Sequence, residues 1–112
     1  MTKQKKGTEV IPSFQWRDKQ GNFHHPSDME TRHLFFTIRM IWNHTCPKEC
    51  MLEPCIKYTF RPFYSSKYMS KAIKYIYIEL MTRDDMKPYF KQQLGRMRAM
   101  ADDLDVVLEL EK

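Results

Sequence analysis

The sequence predicts an α+β fold in which a short N-terminal β-hairpin, or a small antiparallel sheet, is followed by three helices. Three observations predict it. Strand-forming residues flank the turn DKQGN near the N-terminus. The segment METRHLFFTIRMIWNH, positions 29 to 44, places apolar residues at helical spacing. Two later segments repeat that spacing behind serine or aspartate start signals. A length of 112 residues suits one core, so the chain reads as a flexible basic arm, residues 1–8, and a single compact domain, residues 9–112.

The arm, MTKQKKGT, is charged and has no apolar run, as a solvated tail would be. In EVIPSFQWRDKQGNFHHP, Gly21 and Asn22 are the residues suited to positive φ at a hairpin turn, and Pro12 is tolerated only on an edge. Pro26, Ser27 and Asp28 supply a helix start, and the helix runs from Met29 to about Thr45, ending before Pro47. Leu34, Ile38 and Ile41 form its stripe, which Phe35, Phe36, Met40 and Trp42 widen, so most of its circumference is expected to be buried.

Residues 46–66 hold three Pro and three Cys and no helical period, with IKYTF a brief candidate strand. Ser65 or Ser66 caps the second helix, where Met69, Ile73, Ile76 and Leu80 recur at i, i+4, i+7 and i+11. Asp84 or Asp85 caps the third, with Pro88 in its first turn and Met86, Phe90, Leu94, Met97, Ala101 and Leu104 as its stripe. The terminal DVVLELEK fits either a continued helix or a strand.

Charge is uneven. The chain has 19 basic and 14 acidic residues, a net +5, but residues 101–112 hold five acids and one lysine, so residues 1–100 carry a net +9. Such a body attracts phosphates, whether in a nucleic acid or in a small nucleotide. No apolar run approaches membrane-spanning length, and the basic N-terminus is not followed by an apolar leader, which together point to the cytoplasm and no membrane.

Catalytic signatures are absent: there is no G-x-S-x-G, Walker loop, G-x-G-x-x-G or H-E-x-x-H, and three glycines do not build a phosphate loop. A Cys/His nucleophile pair such as Cys46 with His33 would need a proximity that sequence does not supply. His44, Cys46, Cys50 and Cys55 offer a Cys₃His zinc set. Their spacing lacks a C-x₂-C pair, so a loop with free thiols is the expectation, with no metal and no cofactor.

Binding chemistry is better represented. Arg32, Arg39 and Asn43 stand at i, i+7 and i+11, a line of guanidinium and amide groups beside an apolar wall, suited to holding a phosphate or carboxylate; a rim of surface arginines is the alternative. Between Lys57 and Lys74 five cationic residues interleave with rings including Tyr64, as in sites where bases stack and cations meet phosphates. On the second helix Lys67, Lys71 and Lys74 share a face apart from the apolar seam. LGRMRAM adds Arg96 and Arg98, and Gly95, costing about 1 kcal/mol of helix propensity, reads as close packing or ligand approach. Arg32, Arg39, Asn43, Tyr64, Arg96 and Arg98 are thus the candidate ligand-binding residues.

The order of three motifs, a Trp-containing D-x-x-G hairpin (WRDKQGNF), a helix start METRHL and the late helix YMSKAIKYIYIEL, resembles small bacteriophage accessory proteins. Among them it is similar to the type 1 Thoeris anti-defence family, over residues 14–83. The resemblance implies a small oligomeric, non-enzymatic sponge that sequesters a cyclic ADP-ribose-type signal in the host-cell cytoplasm without degrading it. Segment 45–64 departs from the pattern, and the family's ligand contacts do not transfer residue by residue. The expected partner is accordingly a small nucleotide, held by a homo-oligomer; a basic nucleic-acid-binding module and an inhibitor of a host protein are the alternatives.

Overall fold

A computed structural model describes residues 14–57 and 59–108. The basic arm, Pro12, Tyr58 and the last four residues lie outside them. The α+β prediction holds: a two-stranded antiparallel hairpin precedes three helices.

Strands β1 (Trp16–Arg17) and β2 (Phe23–His24) are only two residues each, with Trp16 opposite His24 and Arg17 opposite Phe23. Asp18 makes the turn between them. Its Oδ1 accepts from the Gln20 and Asn22 amides at 3.0 and 2.9 Å, and its Oδ2 lies 2.8 Å from His24 Nε2. The His24 bond leads the causes that hold the Asp18 carboxyl below its ordinary value. Gly21 takes positive φ (91°), as expected; Asn22 does not, and its amide donates to the Asp18 side chain. So short a ribbon is marginal alone. Two tyrosines stitch it to the body: Tyr68 OH accepts from the Arg17 amide at 2.8 Å and donates to the Gln15 carbonyl, and Tyr64 OH donates to the Arg17 carbonyl, both at 2.6 Å. Trp16 stacks on both rings.

Pro26–Asp28 forms a separate 3₁₀ turn instead of opening the first helix, and α1 runs from Thr31 to Thr45. Glu30 stands at its N-cap without a side-chain bond. Leu34, Phe35, Ile38, Ile41 and Trp42 are fully buried, each stabilising by about 1.5–3 kcal/mol. Arg32, His33 and Phe36 face outward, so burial covers one broad side of the helix.

Helix α2 (Ser66–Leu80) starts at Ser65, whose Oγ accepts from the Tyr68 amide at 3.1 Å. Its predicted seam is buried, joined by Ala72, and α2 packs along α1. Helix α3 (Pro88–Ala101) has Lys87 at its N-cap and Pro88 in its first turn. Asp85 does not cap it, because its Oδ1 accepts the Thr31 hydroxyl instead (2.6 Å). Phe90, Leu94, Met97 and Ala101 bury the α3 stripe, and Phe90 stacks on Phe35 with centroids 4.2 Å apart.

The end of α3 answers the open reading of DVVLELEK for residues 105–108 only, since residues 109–112 lie outside the described ones. Asp105 adopts φ 58°, and the Val106 amide reaches back to the Ala101 carbonyl (2.8 Å) and the Asp105 amide to that of Asp102 (3.3 Å), a Schellman arrangement that stops the helix. Residues 106–108 then run on without strand pairing, and Leu108 is buried. No strand forms at Ile56, Lys57, Thr59 or Phe60 either. Among the described residues no helix is long and apolar enough to cross a membrane.

Candidate functional site

A cleft of about 480 Å³ opens between the outer face of α2, the C-terminal end of α1 and residues 104–107. Helical geometry makes its charged rim: Lys67, Lys71 and Lys74 stand at i, i+4 and i+7, hence on one side of α2, with Ser70 between them. Buried Trp42 and Ile73, with Val106 and Val107, supply apolar lining. The Schellman stop is what turns residues 105–107 into this lining.

Electrostatics in the cleft favour an anion. Three ammonium groups meet one carboxylate, that of Asp105. Neither the His24–Asp18 nor the Arg83–Glu79 ion pair uses these lysines. Lys74 has an aromatic neighbour, its Nζ 5.1 Å from the centre of the Tyr75 ring. Cys46 also lines the cleft, and burial, helped by the neighbouring Cys50 thiol, pushes its pKa up to about 11. It is therefore a neutral thiol at pH 7 and adds no negative charge. A mostly apolar cavity with a few convergent cations suits a ligand that joins phosphate or carboxylate to a flat or apolar body.

The six residues singled out from the sequence do not converge. Asn43 is 2% exposed and its amide is consumed: Nδ2 donates to the carbonyls of Leu52 (2.8 Å) and Pro54 (3.3 Å), and Oδ1 accepts from the Leu52 amide (2.7 Å). It clamps the Cys/Pro loop. Tyr64 is likewise a strut of the hairpin, and burial raises its pKa. Arg39 donates to the Glu53 carbonyl at 3.0 Å and borders a cleft of about 350 Å³ with Phe36, Met40 and Asn43. Arg32 borders a different cleft, of about 340 Å³, with Thr31, Arg83, Asp85 and Lys87. Arg96 and Arg98 lie on the exposed side of α3. Gly95 has nothing within 4 Å of where a Cβ would stand, so tight packing against the described residues does not account for it.

Metal and nucleophile arrangements fare no better. Among the described residues no three His, Cys, Asp or Glu side chains gather as ligands, so His44, Cys46, Cys50 and Cys55 do not form the Cys₃His set. Cys46 is buried, Cys55 is exposed, and the His44 ring packs on Phe60 at 4.6 Å. His33 and Cys46 stand near opposite ends of α1, about 20 Å apart along its axis. The His33 ring neighbours His24 at 6.5 Å instead.

Sequence reasoning noticed the lysine face but left it out of the candidate site. Its signal was the i, i+4, i+7 spacing. The lining from residues 104–107 gave none, because its position depends on where α3 stops. Compared with known proteins, the chain matches no protein-family model, no curated protein and no solved structure.

Proposed function

We propose that this protein is a non-catalytic binding protein that sequesters a small anionic nucleotide signal, of the cyclic ADP-ribose kind, in the cleft beside α2. The observation that carries this is the row of Lys67, Lys71 and Lys74 along an apolar-backed cavity of about 480 Å³. The row spans about 10 Å of helix rise, enough to meet two phosphates in sequence. An apolar back suits the remainder of a nucleotide. The resemblance to phage anti-defence sponges supports the same reading, with action in the host-cell cytoplasm and a homo-oligomer as the working form.

Sequestration means that the ligand returns unchanged. Native mass spectrometry and calorimetry of the full chain with cyclic ADP-ribose isomers and cyclic oligonucleotides test this. Expected are stoichiometric binding, recovery of intact ligand on denaturation, and at least tenfold weaker binding by K67E/K71E, about 1.4 kcal/mol. Absence of any adduct or heat, or binding untouched by K67E/K71E, refutes it. The +9 charge of residues 1–100 favours one second reading, a nucleic-acid-binding module. That module would bind DNA or RNA with affinity falling steeply in salt, roughly one power of salt per phosphate contact.

A further inference from the structure

The outward face of α1 is built differently from the lysine cleft. Phe36 stays 37% exposed in mid-helix, with the Arg32 guanidinium 5.3 Å and the Arg39 guanidinium 5.0 Å from its ring centre. Arg39 also lies 5.2 Å from the Phe35 ring and is anchored on the Glu53 carbonyl. Tyr89, 44% exposed, stands edge-on to Phe35 and donates its hydroxyl to the same Glu53 carbonyl at 2.9 Å. Phe36 and Arg39 border the cleft of about 350 Å³, with Met40 and Pro54 on its sides.

The Phe36 ring also meets Phe90 edge-on at 6.0 Å, yet more than a third of the residue stays open to solvent. Aromatic residues, Met and Arg are the side chains enriched in protein interfaces, and anchors of this type carry most of the binding energy when they are already ordered. The Arg39 guanidinium is held by two rings and the Glu53 carbonyl, so a partner would not have to order it. The planar donor forks of both arginines suit carboxylates, and the adjoining cleft accepts one apolar side chain.

We infer that this face of α1, centred on Arg32, Phe36 and Arg39, is a docking surface for an acidic segment of a partner protein, whose carboxylates flank one apolar anchor. Charge complementarity selects the partner: arginines on both sides of the ring ask for acids on both sides of the anchor. The surface is separate from the lysine cleft, so either reading stands or falls without the other.

Fluorescence anisotropy of the full chain with a labelled peptide of alternating Glu and Leu around a central Phe tests the docking surface, with a peptide carrying Lys in place of Glu as the control. Expected are saturable binding of the acidic peptide only, at least tenfold loss in R32E and in F36A, and wild-type binding in K71E. Arg32 contacts the Phe36 ring from an exposed position, so R32E is expected to keep the wild-type melting temperature and reports binding alone. No binding by the wild type, equal binding of the lysine peptide, or loss in K71E but not R32E overturns the inference. Tight binding of oligouridylate that R32E abolishes would also overturn it, by assigning the face to RNA.

Discussion

Asn43 shows how a residue's surroundings decide its role. Read along the helix, its amide stands in line with two arginines and looks available to a ligand. In the fold, both donors and the acceptor are taken by the Leu52 and Pro54 backbone, in a site with almost no solvent. Replacing Asn43 by Leu would leave a buried Leu52 amide and two carbonyls short of partners, a loss of about 3 kcal/mol. Chemical denaturation should show that loss, while nucleotide uptake by the folded fraction stays at the wild-type affinity. Weakened uptake at unchanged stability would return Asn43 to the binding site. The identity of Asn43 was legible in the sequence but its partner was not, because the loop that returns to it contains no periodic signal. Tyr64 differs only in that its partner, the Arg17 carbonyl, lies 47 residues away.

Among the elements, legibility followed periodicity. The α2 seam and its Ser65 cap came directly from spacing and from the preference of serine for an N-cap. The starts of α1 and α3 did not, because acids that look like caps serve elsewhere: Asp28 closes a 3₁₀ turn and Asp85 accepts from Thr31. The stop of α3 was also hidden, since it depends on a left-handed Asp105 where glycine would have announced it. That stop shapes one wall of the lysine cleft, so the site was half legible: its helical rim was visible and that wall was not. Gly95 gives a test of α3 itself. It sits mid-helix with open space around it, so Gly95→Ala removes backbone freedom from the unfolded chain without a clash. A gain of about 1 kcal/mol is expected in thermal or denaturant unfolding. A loss would mean that something approaches this face of α3.

At the scale of the whole molecule, one arginine ties together segments that are distant in the sequence. Arg83 follows α2, and its guanidinium bonds to the Glu79 carboxylate (3.0 Å), to the Pro26 carbonyl (3.0 Å) and to the Thr31 hydroxyl (3.2 Å). Thr31 passes the link on to Asp85, ahead of α3. The end of α2, the exit of the hairpin, the start of α1 and the approach to α3 therefore meet at one planar cation whose donor fork fits them together. The side chains of Arg83 and Glu79 are partly open to solvent, 18% and 23% exposed, which screens the ion pair and leaves the hydrogen bonds as the larger contribution. Arg83→Met keeps an unbranched apolar stem and removes every donor. It should lower stability by about 2 kcal/mol and, because the lost bonds join separate elements, it should do so for the molecule as one unit. Hydrogen exchange resolves the alternatives: amides of the hairpin, α1 and α2 should lose protection together in R83M. If only residues 26–31 exchange faster while the helices keep wild-type protection, the arginine is a local brace, and the cohesion of the fold rests on the shared apolar core.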